Sequence, residues 1–210
     1  MSLGESKPVK TDEIKEILVK SSLHIGSQIK VKHMEKFIFK LRPDGVYLID
    51  ISKTIERLNI AARFISFYPA EKVAVISTHV YGIKPVKRFC ELTGCIPITE
   101  RFEPGSFTNP LLPSYMEPEL VVVSDPRYDN QAVFEAKIAR IPVIAMCSTD
   151  NSISNIDLVV PMNNRGRLAL PYAFWYLARR VLIEKGVLTE ELADNIKPEE
   201  FIVQQVTETQ

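Results

Sequence analysis

The chain has 210 residues, of which 46% are hydrophobic and 25% charged, and its 26 basic and 26 acidic side chains leave a formal net charge of zero. That length fits one large domain with a core big enough to need no staples. The charge balance excludes a uniformly basic surface, so any contact with a polyanion has to come from the way charge is distributed.

The first residues, MSLGESKPVKTDEIKE, are polar and contain no apolar h-region. No signal peptide is therefore expected, and a cytosolic location is. No apolar run approaches the length needed to span a bilayer. Cys90, Cys95 and Cys147 are odd in number, and no second Cys/His pair accompanies Cys90-x4-Cys95 at metal-ligand spacing. They read as small buried hydrophobes in a reducing compartment.

In chain order, Thr11 is a candidate N-cap for a helix carrying Ile14, Ile17 and Leu18. Leu23–Ser27 breaks that helix. Next comes QIKVKHMEKFIFKLR, where Lys30, Lys32, Lys36, Lys40 and Arg42 face a single acid, Glu35. Alternation over Lys36–Leu41 predicts an extended piece with one apolar and one basic side, set on the protein's rim. Pro43-Asp44-Gly45 is a turn. Val46–Ile51 follows as the expected first core strand. Ser52 is placed to cap a helix running to about Phe67, with Ile55, Leu58, Ala62 and Ile65 on one face. Val73–Ile76 is the second strand, closing on Ser77-Thr78-His79. The next helix is expected to open near Lys84-Pro85 and to end at Gly94, and Ile96–Ile98 is a short strand. Residues 101–118 carry four prolines and no periodic pattern. An irregular stretch of that length inside a domain is more often functional than idle.

Leu120–Val123 and Val143–Met146 are unbroken β-branched or apolar runs, and Ala132, Val133, Ala136 and Ala139 recur between them at helical spacing. This is a βαβ unit with strands apolar on both faces, as in a parallel sheet covered by helices. Ser124-Asp125-Pro126 and Ser148-Thr149-Asp150-Asn151 stop the two strands at the carboxyl edge, where open α/β sheets usually place their function. Leu158–Val160 is the last strand. Asn163-Asn164-Arg165-Gly166-Arg167 precedes a long helix from about Leu168 to Glu184, with Pro171 in its first turn. The predicted fold is a three-layer α/β/α sandwich around a mainly parallel, five-stranded, flavodoxin-like sheet, with a Rossmann order as second choice. Residues 1–185 form one α/β domain, with the N-terminal helix and basic arm in 1–45 and the sheet core in 46–185. Residues 186–210 are an acidic tail, expected to be loosely held: Glu184, Glu190, Glu191, Asp194, Glu199, Glu200 and Glu208 face only Lys185 and Lys197.

Tests for chemistry find little. No glycine-rich phosphate turn follows any strand. His79 beside Ser77 and Thr78 is one histidine near hydroxyls, which reads as a hydrogen-bonded or surface residue before a general base. Asp125, Asp129 and Asp150 are possible magnesium ligands, yet turn and helix-start roles account for each. Basic residues at helix openings form a different pattern. Lys84, Lys87 and Arg88, Arg127, and Asn163 to Arg167 would set cations beside free backbone N–H groups, which favour anions. With the arm, they would make a docking surface for a phosphate backbone.

The strings HIGSQIKVKHMEKFIFKLRPDGVYLID, YGIKPVKRFCELTG, RFEPGSFTNP, DPRYDNQAV, IPVIAMCSTDN and IDLVVPMNNRGR occur in this order between His24 and Arg167, in a stretch of likeness that covers the chain from about His24 to Arg180. Together they resemble the universal small-subunit ribosomal protein number two family, in its archaeal and eukaryotic branch. The resemblance implies a flavodoxin-like fold, no enzymatic activity, no cofactor or metal, and small-subunit rRNA and neighbouring ribosomal proteins as partners. A membrane or small-molecule partner is not implied. Carried over by motif, the RNA-facing stretches fall on Lys30, Lys32, Lys36, Lys40 and Arg42; on Tyr81, Lys84, Lys87 and Arg88; on Arg101, Thr108 and Asn109; on Arg127; and on Asn163, Asn164, Arg165 and Arg167. Three positions depart from the family pattern: His79 replaces a common arginine, Glu100 a usual glycine, and Pro171 interrupts a stretch that usually lacks proline. Thr108-Asn109 runs straight into Pro110 where the bacterial branch inserts a coiled coil, and no long eukaryotic C-terminal extension follows. Both features imply an archaeal type. Two rival functions stand beside this one: a phosphosugar- or nucleotide-binding enzyme using Ser77, His79, Asp125 and Asp150, and a protein-binding adaptor using the loop from Arg101 to Pro118.

Overall fold

A computed structural model describes residues 9–193 and 195–202. The first eight residues, Asp194 and the stretch 203–210, including Glu208 of the acidic tail, lie outside the described residues. In chain order the elements are α1 (Val9–Lys20), a 3-10 turn (Lys32–Phe37), β1 (Ile38–Leu41), β2 (Tyr47–Ile49), α2 (Ile51–Ser66), β3 (Val73–Ile76), α3 (Val80–Thr93), β4 (Ile96–Ile98), β5 (Leu120–Val123), α4 (Asn130–Ala139), β6 (Val143–Cys147), β7 (Leu158–Pro161), α5 (Ala169–Glu184), α6 (Glu190–Ala193) and a second 3-10 turn (Pro198–Phe201).

The main sheet has the order β4-β3-β5-β6-β7, with every neighbouring pair parallel. Counted within this sheet the order is 2-1-3-4-5, the flavodoxin-like arrangement, which excludes the Rossmann alternative. Right-handed crossovers explain which face each connection takes. The step from β3 out to β4 runs through α3, on the face shared with α1, α2 and α5. The steps back to β5 and on to β6 run over the other face. One core therefore joins Val73, Val75, Leu120, Val122, Ile144 and Met146 to Leu58, Phe89 and Phe174 of the helices. The other joins Ala74, Ile76, Val121, Val123 and Ala145 to Ala132, Val133 and Ala136 of α4, and to Phe102, Phe107, Met34 and Phe37. The sheet's second cover is thus part helix, part loop and part arm.

Several expectations are corrected. The run from Val46 to Ile51 contributes β2, which pairs antiparallel with β1 in a separate two-stranded ribbon and not with the main sheet. Asp50 rather than Ser52 caps α2, its side chain accepting from the Ser52 amide at 3.0 Å. Thr11 lies inside α1 rather than at its cap. The helix expected to open at Lys84-Pro85 begins one turn earlier, at Val80, with Pro85 inside it. The alternation over Lys36–Leu41 fails twice: the segment up to Phe37 is a 3-10 turn, and β1 then carries a register shift between Ile38 and Lys40.

The segment after Gly186 is docked through residue 202. Ala193 and Phe201 are buried. The Trp175 indole N–H donates to the Ile196 carbonyl at 2.7 Å.

Candidate nucleic-acid interface

The arm is attached to the carboxyl edge of the sheet through Thr149, which follows β6. The Val31 amide donates to the Thr149 carbonyl at 2.8 Å, the Thr149 hydroxyl to the Ile29 carbonyl at 2.9 Å, and the Ser27 amide to the Thr149 hydroxyl at 2.9 Å. Gly26 permits this approach: a Cβ there would lie 2.6 Å from Thr149 Cγ2 and 2.8 Å from the Tyr47 carbonyl oxygen. Basic arm and sheet edge thus form one region of the molecule.

On the arm, Lys32, Lys36, Lys40 and Arg42 are exposed. Lys30 pairs with Glu35 at 2.7 Å and Arg42 with Asp44 at 3.2 Å. Both pairs face solvent and are therefore weak, so each cation is free to exchange its carboxylate for a phosphate. Lys36 lies over the Phe37 ring and Lys40 over the Phe39 ring, at 5.0 and 5.9 Å.

At the sheet edge, β3 and β5 flank the switch point where flavodoxin-like folds leave a ligand crevice. Here side chains fill it. The Ser124 hydroxyl donates to the Ser77 hydroxyl at 2.7 Å, and the Thr78 hydroxyl to Asp129 at 2.8 Å. Ser77, Ser124, Asp125 and Asp129 are all buried. Asp125 accepts from the Asn151 side chain and the Arg127 amide, both at 2.9 Å. Arg165 reaches Asp150 at 2.9 Å and Asp125 at 3.5 Å. The three aspartates weighed as magnesium ligands each make scaffold bonds, and each keeps a second carboxylate oxygen buried without a hydrogen-bond partner. Among the described residues no group of three His, Cys, Asp or Glu is placed to hold a metal ion.

His79 has its Nδ1 3.3 Å from the Tyr81 amide, which donates to it and caps α3. Burial holds its pKa below the ordinary histidine value; Asp125 opposes this and Arg165 adds to it. It is thus a neutral capping imidazole at neutral pH, and Ser77 bonds to a serine instead. A cavity of about 370 Å³ lies at the opposite, amino edge of the sheet, lined by Lys137, Arg140, Asn155 and Asp157 among others, far in the fold from those residues.

The remaining predicted residues divide into two groups. Tyr81, Lys87, Arg101, Thr108, Asn109, Arg127 and Arg167 are exposed. Lys84 and Arg88 are turned to the C-terminal segment: the Lys84 ammonium donates to the Ile202 carbonyl at 2.6 Å, and Arg88 pairs with Glu200 at 2.6 Å and Glu91 at 3.0 Å. Asn164 is fully buried, donating to the Met146 carbonyl and to Asn151. That corrects its placement on a ligand-facing surface. Asn163 donates to the Ser22 carbonyl and accepts from the amides of Arg165 and Gly166, which makes it a turn residue.

The long loop is a structural cover. Buried Glu135 accepts from the amides of Gly105 at 2.7 Å and Phe107 at 3.2 Å, and Phe102 packs edge-on against Phe107. Sequence reasoning misses Thr149 and Glu135, which hold arm and loop in place. A polar residue closing a strand and a glutamate in a short helix carry no distinguishing signal.

The family model for Ribosomal protein S2 matches residues 18–111 and 113–181. The chain belongs to the ribosomal protein S2 family. Similar relatives are proteins named small ribosomal subunit protein uS2. The one from Aeropyrum pernix is 46% identical over 200 residues, covering 92% of this chain and 98% of its own. That from Thermofilum pendens is 51% identical over 171 residues, covering 81% and 80%. That from Nitrosopumilus maritimus is 43% identical over 196 residues, covering 93% and 95%. All three are archaeal, in line with the type implied by Thr108-Asn109-Pro110. The S2 family is a structural family and not one of enzymes. That, together with Ser77 and His79 being tied to other partners, sets the enzyme alternative aside.

Proposed function

We propose that this chain is a structural constituent of the small ribosomal subunit, at work in the cytoplasm. On this reading it holds small-subunit rRNA through its basic arm and sheet edge, and it abuts neighbouring ribosomal proteins. The observation that carries the reading is the coupling of two features: a lysine-rich arm bonded to the carboxyl edge through Thr149, and a switch-point crevice filled by Ser77, Ser124, Thr78 and Asp129. Such an edge presents charge, and its switch-point crevice is filled by side chains. The phosphate-facing set is Lys32, Lys36 and Lys40, with Lys87, Arg101, Arg127 and Arg167. Lys30 and Arg42 join by releasing their carboxylates, and exposed Arg127 likewise by releasing Asp150, 3.4 Å away. Lys84, Arg88, Asn163, Asn164 and Arg165 act as scaffold. Tyr81, Thr108 and Asn109 are neutral contacts on the same reading.

The test is sedimentation of the tagged chain through a sucrose gradient of cell lysate. The chain is expected with small subunits, and a version with Lys32, Lys36 and Lys40 changed to Glu at the top of the gradient. A wild-type chain found free of ribosomal particles would overturn the reading.

A further inference from the structure

Phe39 is the least expected residue on the arm. It is 69% exposed, although a phenylalanine ring in water forfeits the burial that usually places it inside. The backbone puts it there. Ile38 pairs with Ile49 and Lys40 with Leu48, so β1 spends two residues where β2 spends one. Phe39 is the extra residue. A bulge of this kind re-aims a side chain and takes its residue out of the ladder. Without it, Phe39 would continue the alternation begun by buried Phe37. With it, the ring swings to the side of Lys40, whose ammonium lies 5.9 Å from its centroid.

The surroundings identify the partner. Lys32, Lys36 and Lys40 are exposed cations, while Glu35 and Asp44 are already matched by Lys30 and Arg42. The ring therefore stands beside one cation, Lys40, on an arm that carries an excess of positive charge. A flat, apolar, exposed ring on such an arm matches a nucleotide: phosphates meet the lysines and a base meets the π-face. A duplex cannot use such a ring, because its bases are already stacked.

We propose that Phe39 stacks on an unpaired nucleobase, so that the arm takes single-stranded or looped RNA in preference to continuous duplex. This rests on the RNA-binding reading above and adds the class of RNA.

The test uses the full chain with a short oligouridine and a blunt RNA duplex of equal charge, at matched salt. Phe39→Ala is expected to weaken oligouridine binding roughly tenfold and to leave duplex binding unchanged. Phe39→Trp should retain the affinity and Phe39→Leu should lose it, which separates stacking from general apolar contact. Lys40→Gln should weaken both RNAs alike. Because Phe39 is exposed, the thermal midpoint of each variant should match the parent. Equal oligouridine affinity of Phe39→Ala and parent, or of Phe39→Leu and parent, would overturn stacking and point to a protein partner for the ring. Failure of the parent to bind either RNA would overturn the arm's RNA role itself.

Discussion

Gly82 sits where α3 crosses the end of β3. A Cβ there would lie 2.0 Å from the Ser77 hydroxyl oxygen and 3.1 Å from Ser77 Cβ. Gly82→Ala is expected to destabilise by about 1–3 kcal/mol, as overpacking does, and Ser77→Ala on that background should recover part of the deficit; urea unfolding midpoints measure both. Asp129 is a second residue with a readable consequence. Burial pushes its carboxyl from 3.8 up to about 6, against the pull of the Thr78 hydroxyl. The folded chain then holds a proton that the unfolded chain has released, so this group's contribution to stability falls as pH rises from about 4 to about 6. Asp129→Asn removes that slope. Thermal midpoints of parent and variant should diverge across this window in favour of the variant; parallel curves would show that folding leaves the Asp129 carboxyl at its ordinary value. Neither effect is legible in the sequence, since both depend on distances across the switch point.

The elements divide by how local their cause is. The strands Val73–Ile76 and Leu120–Val123 match their expected bounds because a continuous β-branched run has one stable environment, the middle of a covered parallel sheet. Gly94 ends α3 as expected, with a φ of +79° that favours glycine. The features that local pattern misplaces depend on partners distant in sequence. Residues 47–49 look like any apolar strand but pair with the arm. The bulge at Phe39 exists only through that pairing. Composition alone makes the acidic tail loose, whereas Phe201 fills a site against the helical layer. Magnitudes decide what holds this segment. The Arg88–Glu200 pair is about a third or more exposed on both sides and contributes at most about 1 kcal/mol. Truncating buried Phe201 costs about 3–5 kcal/mol. Phe201→Ala should therefore release residues 195–202 to rapid proteolysis, and Glu200→Ala should not.

At the scale of the whole molecule, the sheet order decides where the crevice of this metabolite-type fold falls. Helix α3 takes one face on the way out to β4, and the return connections take the other, so β3 and β5 become the switch point by topology alone. Side chains then close it, and the arm brings lysines to the same edge. The fold class and a basic, exposed arm are visible as periodicity and charge asymmetry, and the motif series points to the S2 family. The division of basic residues into exposed ones and ones tied into the protein is hidden, because Arg88 and Arg167 look alike until Glu200 is seen against one of them. The measurement that bears most directly on this account is the salt dependence of binding to small-subunit rRNA, for the parent and for a variant with Lys32, Lys36 and Lys40 changed to Gln. The account predicts a steep log–log slope for the parent, shallower in the variant by roughly 0.7–0.9 for each phosphate that no longer meets a cation. A slope that is the same in both would contradict it.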